Sequence, residues 1–486
     1  MLRTQFGKRS SAAVCGFACL AGIAFILRSI ESRSILVLTV VTVLALAAAL
    51  LTGLALARES VWQSLADFIR SLLARQKTPV ESRLAGFILV VIGLVGYVSQ
   101  LGVQYSLNDS YAGEDEEAYL ITAREIHVDQ PSLYDFVQSL YAGEFTEANR
   151  HPLYLWLLSY GPSFEGGKFL SLIHGVWAML LMVGVCIRRG SNWLHTGIVC
   201  LLLGWNSAWL RFSATVSCES LLVLIVACLW FQLSVEPVPV DTDDANTKRE
   251  PQHNGHFLTG IIGVLAALFW LAKGTGLLLT AGIAVWIAIR RLKCVSSGVR
   301  SGGAGQGCQV VVLELLVFAV AWVAVASPLL VRNHVRYGSP FYNVNSWLLF
   351  EDEYADPVTL SEASTIGAAA QVFLAEHSPS DILYREWTGL VWETYILIRS
   401  LGPVLSGDAR VLPGAVIAVL AVLGWCVSRR EEKWLLLIWL IVFLMIFAWY
   451  VPVAAGERFV LPLLLPIVLC AADGAVQLAG SQRRGR

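Results

Sequence analysis

Long apolar runs alternate with short polar segments along most of this chain. The runs lie at 11–28, 34–57, 84–103, 168–187, 193–210, 213–233, 257–272, 274–289, 310–331, 409–427, 434–451 and 457–478. A helix needs about 20 apolar residues to cross a bilayer, so the pattern predicts about 12 transmembrane helices. The runs 257–272 and 274–289 are parted only by Lys273-Gly274 and read as a tight hairpin. The stretch 151–162 (HPLYLWLLSYGP) is too short to cross and reads as re-entrant or interfacial. Residues 58–76 space Trp62, Leu65, Ile69, Leu72 and Leu73 on one helical stripe, with Arg58, Arg70, Arg75 and Lys77 around it. That is the pattern of an amphipathic helix on the inner membrane surface.

The distribution of charge orients the spans. With the N-terminus inside, the segments 1–10, 58–83, 188–192, 234–256, 290–309, 428–433 and 479–486 face inward and hold 22 of the 35 Lys and Arg residues. Inner loops carry the excess of Lys and Arg, so the chain reads as N-in and C-in. Residues 1–28 resemble a leader peptide, but the run is long, no A-x-A site follows and a second run begins near Ser34, so a retained first span is expected. Four regions follow: an N-terminal hairpin with its surface helix over 1–83, a core over 84–331 with a large outer loop 104–167, a second outer loop 332–408, and C-terminal helices with a basic tail over 409–486.

Composition narrows the class. Hydrophobic residues make up 56% of the chain, charged residues 15%, and the mean hydropathy is +0.64. Soluble domains are nearer a quarter charged, so an ordinary soluble enzyme, a disordered chain and a nucleic-acid binder are excluded. The expected fold is an all-α polytopic membrane protein. The 10 cysteines sit mostly inside apolar runs without C-x-x-C spacing, and read as small apolar fillers rather than a disulfide or metal framework.

The first outer loop carries the candidate chemistry. Its first part, 104–150, holds ten acids and two bases, Arg124 and Arg150. Residues 114–129 (EDEEAYLITAREIHVD) place Asp115, Tyr119, Thr122 and Ile126 on one helical stripe, with an acidic first turn that suits the helix dipole. After Asp129-Gln130-Pro131, the pattern S-x-x-D at Ser132–Asp135 starts a second helix. Its apolar face of Leu133, Phe136, Val137, Leu140 and Tyr141 is expected on the outer membrane surface.

D-E-x-x-Y at Asp115, Glu116 and Tyr119, then Ala123-Arg124, then H-P-L-Y at His151–Tyr154, resembles a known pattern. It is similar to the membrane glycosyltransferases of the GT-C class, in the protein O-mannosyltransferase and lipid A aminoarabinose transferase group. Glu219 at the outer start of a span, L-A-K-G-T-G at Leu271–Gly276, P-L-L-V-R-N at Pro328–Asn333 with Y-G-S-P at Tyr337–Pro340, and E-R-F-V-L-P at Glu457–Pro462 follow in the order of that group. The extra hairpin 11–57 departs from it.

The resemblance implies a GT-C-like helical bundle with juxtamembrane helices in the first outer loop. It implies transfer of a sugar from a polyprenyl or dolichyl phosphate to a hydroxyl on a lipid, glycan or protein, with inversion. Asp115 is the first candidate for the base, since the attacking hydroxyl must lose a proton; Glu116 shares or exchanges that role. Arg124, nine residues after Asp115 and read as lying on nearly the same face, is a donor-phosphate candidate, or else a partner for the acidic turn. Lys273, Arg332 and Arg458 are the other phosphate candidates. Tyr119, His151 and Glu219 are candidates for substrate contact. No cofactor is expected, and since no D-x-D stands in the loop a metal-independent mechanism is favoured. The partners would be the lipid-linked donor, the acceptor and membrane lipids, and the location a bacterial inner membrane. Glu314, within an apolar run, is expected to snorkel inward or to pair with a neighbouring helix. The competing reading is a multi-span transporter or lipid-linked glycan flippase.

Overall fold

A computed structural model describes residues 80–109, 114–234, 255–296 and 304–484. The expected spans 11–28 and 34–57 and the surface helix 58–76 lie outside these residues. The described residues form 17 α-helices in chain order: α1 (Val80–Leu107), α2 (Glu114–Asp129), α3 (Leu133–Ala142), α4 (Pro152–Ser159), α5 (Phe164–Arg188), α6 (Trp193–Gly204), α7 (Ser207–Phe212), α8 (Glu219–Leu233), α9 (Gly255–Ala272), α10 (Gly276–Ser296), α11 (Ala304–Tyr337), α12 (Pro357–Ala363), α13 (Ile366–Glu376), α14 (Pro379–Ser400), α15 (Val411–Val427), α16 (Glu432–Tyr450) and α17 (Glu457–Arg484). Short 3-10 turns at Val344–Phe350 and Gly407–Arg410 complete them.

The chain is a helical membrane protein. Six described helices, namely α1, α5, α11, α15 with its preceding turn, α16 and α17, are long and apolar enough to cross a bilayer. Ten of the 12 expected spans fall in the described region, so four runs behave differently. The run 193–210 breaks because Asn206 turns its side chain onto the Trp209 N–H at 2.8 Å and donates from Nδ2 to the Ser400 carbonyl at 2.8 Å. The run 213–233 becomes helical only from Glu219, and 257–272 gives the similarly short α9. The run 274–289 becomes α10, which extends through Arg290, Arg291 and Lys293.

The chain divides into two compact units, Met1–Asp109 with Asn192–Trp205, and Ser110–Ser191 with Asn206–Arg486. In the described part of the first, α1 lies directly on α6. Gly86 and Gly93 face Gly197 and Gly204, both pairs one heptad apart, and a Cβ at any of the four would overlap the partner helix. Such small-residue spacing lets two backbones touch.

The second unit is built around α17, whose apolar stretch Phe459–Ala472 is almost wholly buried. On α15, Gly424 rests against the Cys470 carbonyl, and Gly474 of α17 against the Leu420 carbonyl. Trp439 of α16 fills the space among α8, α9 and α10. Its ring stands 5.1 Å from Trp230 and 6.1 Å from Phe269, and its Nε1 donates to the Leu279 carbonyl at 3.1 Å. At one end of this unit Arg189 pairs with Glu432 at 2.9 Å, and Arg430 donates to the Arg189 carbonyl at 3.0 Å. Glu314 pairs with Arg291 on the neighbouring α10 at 2.5 Å, the second of the two arrangements expected for it.

Helix α3 starts as its sequence predicts: Ser132 accepts from the Asp135 N–H at 3.2 Å and donates to the Asp135 carboxylate at 2.6 Å. Its apolar face does not simply lie on a membrane surface. Phe136 and Leu140 are buried with Ile126, Phe145 and Leu155, and the Tyr141 hydroxyl lies 2.7 Å from Ser327 Oγ on α11. Protein packing has taken the centre of that face and left Leu133 outside.

The segment 332–408, expected as a second outer loop, is mostly helix. Its longest element, α14, is tied to the ends of three spans. Arg385 donates to the Trp449 carbonyl at 3.1 Å and Gly389 lies against Ala448, both at the end of α16. Further along, Arg399 lies 3.8 Å from Glu457 at the start of α17, and the Ile398 carbonyl touches Gly414 at the start of α15. Both ends of α14 therefore meet the same end of the bundle. It runs along that end, not through it.

The contact between α15 and α17 is the most sensitive of these. Gly424→Ala places a methyl group on a carbonyl oxygen in a region with no room, and overpacking of this kind costs about 1–3 kcal/mol. Thermal unfolding in detergent should show a lower midpoint for this variant than for Gly456→Ala, where nothing lies within 4 Å.

Candidate functional site

The candidate site lies at the end of the second unit where α2, α8 and α17 begin and α9 ends. It is assembled from separate stretches of chain. The acidic first turn of α2 is split by burial. Asp115 points outward, with a side chain 58% exposed. Glu116 is buried, and its Oε1 accepts the Val216 N–H at 2.9 Å. Adjacent acids thus have distinct surroundings: Glu116 fastens α2 to the coil before α8, and Asp115 is left for the opening.

Asp115 meets two guanidinium groups. Arg458 Nη1 donates to its Oδ2 at 2.7 Å, and Arg150 Nη2 lies 3.8 Å from its Oδ1. Arg150 also pairs with Glu147 at 3.2 Å and stands 5.5 Å over the Tyr119 ring. Glu147 is itself fixed by the backbone N–H groups of Asn149 and Arg150, at 2.7 and 3.1 Å.

Tyr119 lies one turn after Asp115 and faces inward. Its hydroxyl donates to Cys218 Sγ at 3.2 Å, and its ring meets Tyr154 edge-on at 5.2 Å. Burial, reinforced by the neighbouring Cys218 and Glu219, holds the Tyr119 hydroxyl well above the usual phenol range. Burial likewise pushes the Cys218 thiol up to about 12. Both groups are neutral donors at physiological pH. The Cys218 thiol lies 3.7 Å from Glu219 Oε2, and Lys273 donates to Glu219 Oε1 at 2.6 Å.

Lys273 stands 5.5 Å from the centre of the Phe459 ring, and Arg458 stands 5.0 Å from it. The contacts close into a loop: Asp115, Arg458, Phe459, Lys273, Glu219, Cys218, Tyr119, Arg150 and back to Asp115. On the Glu219 side, Glu219 and Cys218 are buried and Lys273 and Tyr119 are partly so. The Asp115–Arg458 pair is the accessible part, with Arg458 40% exposed.

His151 caps α4 in an extended conformation before Pro152. Its ring packs edge-on to Trp270 at 6.2 Å. Burial, then the nearby Arg332 charge, lower its pKa to about 3, so the imidazole is neutral. Arg332 is buried apart from Asp115. It donates to the Glu147 carbonyl at 2.8 Å and to the Tyr337 hydroxyl at 3.4 Å, and lies over Phe145. It supports the Glu147 turn from behind.

Arg124 does not join the cluster. Nine residues are two and a half turns of a helix, which puts Arg124 on the face opposite Asp115 and not on the same one. It is exposed, and its Nε donates to the Pro162 carbonyl at 3.1 Å. Of the sequence-derived candidates, Asp115, Tyr119, Glu219, Lys273 and Arg458 come together. Glu116 and His151 border them, Arg332 lies behind and Arg124 lies outside. Arg150, Glu147, Cys218 and Phe459 were not singled out by sequence reasoning. Arg150 directly precedes the His151–Tyr154 motif and Phe459 lies inside the Glu457–Pro462 motif, so the signal lay in and beside the motifs.

No protein-family model, curated protein or solved structure matches this chain.

Two outcomes follow from these environments. Lys273→Met leaves the buried Glu219 carboxylate uncompensated, which costs about 3–5 kcal/mol; Glu219→Gln combined with Lys273→Met should recover much of that loss in thermal unfolding. His151 is neutral when folded but takes a proton below about pH 6.5 when unfolded. Its contribution to stability is present above that value and falls as the pH drops toward 3. His151→Gln should flatten the acid side of a curve of melting temperature against pH.

Proposed function

We propose that the protein is an integral membrane glycosyltransferase, of the kind its motifs resemble. It would move a sugar from a polyprenyl-phosphate donor to a hydroxyl acceptor at the extracytoplasmic face of a bacterial inner membrane. The observation that carries this reading is Asp115, a half-exposed carboxylate between Arg458 and Arg150 at the accessible edge of a largely buried ionic cluster. Such an arrangement offers a proton acceptor and cations within one small volume.

In this reading the acceptor hydroxyl attacks the anomeric carbon and gives its proton to Asp115. The bond from that carbon to the phosphate oxygen breaks on the opposite face, inverting the centre. The departing phosphate gathers negative charge, which Arg458 and Lys273 stabilise. Arg458 occupies Asp115 Oδ2 in this structure. A phosphate that draws Arg458 away would leave that oxygen free to accept the proton of the hydroxyl. Tyr119 and Cys218, held neutral, hydrogen-bond without adding charge. The gathering of these groups at one end of the bundle also supports surface chemistry over passage through the membrane, where binding charges belong near mid-bilayer.

The test is transfer of label from polyprenyl-phosphate sugars to a membrane extract by the purified protein. Asp115→Asn should reduce transfer by about 10²–10⁴-fold with an unchanged melting temperature. Movement of labelled lipid across reconstituted vesicles without transfer would favour the flippase reading.

A further inference from the structure

Helix α14 is built inside out. In a water-soluble helix the apolar stripe faces the protein and charges face solvent. Here the charged residues of the middle turns point inward. Arg385 is buried and donates to the Trp449 and Glu351 carbonyls at 3.1 and 2.8 Å and to Asp352 at 3.0 Å. Glu393 is 1% exposed, and neither of its oxygens has a hydrogen-bond partner; burial raises its carboxyl to about 7. Glu386 is partly buried, with one oxygen unpartnered. The outward face is apolar and aromatic: Leu383 (71% exposed), Tyr384, Trp387 (66% exposed), Val391 and Trp392. No charged side chain interrupts that stripe.

The preceding helix is largely apolar on its outer side as well, apart from Glu376 at its last position. In α13 Phe373 is buried against His377 and Trp449, while Ile366, Val372 and Leu374 lie outside. Five charged residues within 22 keep α14 from reading as a span, although its solvent-facing surface is the apolar one.

We propose that α13 and α14 are seated in the bilayer interface at the end of the bundle that carries the candidate site, with the outward stripe of α14 against lipid. Three observations select lipid as the occupant. The inversion of charge is what an apolar surrounding demands, since an outward charge would lose its hydration there. Trp and Tyr on the stripe are the residues that favour the membrane–water boundary. The helix also bridges the ends of α15, α16 and α17, and the outward faces of α15 and α16 carry exposed Leu412, Val416 and Ile441 along candidate spans, so the stripe continues a lipid-facing surface. The inference rests on the membrane reading of the bundle and not on sugar transfer.

The test places a photoreactive benzoylphenylalanine at Trp387 or at Val391 in the full chain, reconstituted in vesicles of radiolabelled phosphatidylcholine. Val419, exposed on α15, serves as the lipid-facing reference and Glu353, in the exposed loop, as the aqueous one. On illumination both α14 positions should take up lipid label at the level of Val419 and several-fold above Glu353, with melting temperatures matching the unmodified protein. Labelling at the level of Glu353 would overturn the proposal. So would crosslinking chiefly to a second copy of the chain or to another polypeptide, which would identify the stripe as a protein interface.

Discussion

The ion pair between Glu219 and Lys273 sets the constraint on which the site depends. Each group belongs to the first or last turn of an apolar helix, where a lone charge would be costly. At 2.6 Å they hold α8 and α9 at a fixed separation. The carboxylate also gives the Cys218 thiol an acceptor, and Cys218 in turn receives the Tyr119 hydroxyl. The position of α2, and so of Asp115, follows from that chain of contacts together with the Glu116 bond to Val216. A pair of this kind adds little to stability once desolvation is counted. Its effect is on geometry: the bond fixes where Glu219 presents its second oxygen to Cys218.

Burial divides the work among groups of the same chemical type. Asp115 and Glu116 are neighbours, yet one acid is spent on a backbone N–H and the other stands at the opening. Arg332 and Arg458 are both guanidiniums in the motif-bearing ends of helices. One braces a turn through a carbonyl, and the other meets a carboxylate. Accessibility rather than residue type separates structural charge from charge that a ligand can reach.

Much of this was legible in the sequence, for reasons that differ by element. The apolar runs behind α5, α16 and α17 located those helices closely, because each is long and nearly unbroken in its hydropathy, and α17 stays helical through Pro462 and Pro466. Ser132 and Asp135 announced the start of α3. The run 193–210 misled because Asn206 offers its side chain to two backbone groups, an alternative to helix that hydropathy does not register. Arg124 was misplaced by treating nine residues as a whole number of turns. Helix α14 was hidden because hydropathy averages a segment and ignores direction, and its charges point inward. The contacts among Asp115, Arg458, Lys273 and Glu219 needed the fold, since residues more than 300 positions apart meet there.

The placement of α14 also bears on how this assembly can move. A helix pinned near Trp449 at one end and near Glu457 and Gly414 at the other acts as a crossbar over three posts. Spreading α16 from α15 at that end would shear the Arg385 bonds or lift the crossbar whole. Rocking of one helix group against another is therefore resisted where the ionic cluster sits, and the cluster keeps a fixed frame. Slack has to come from side chains and short coils: the carboxylate and guanidinium at the rim, and the turn that carries Glu147 and Arg150.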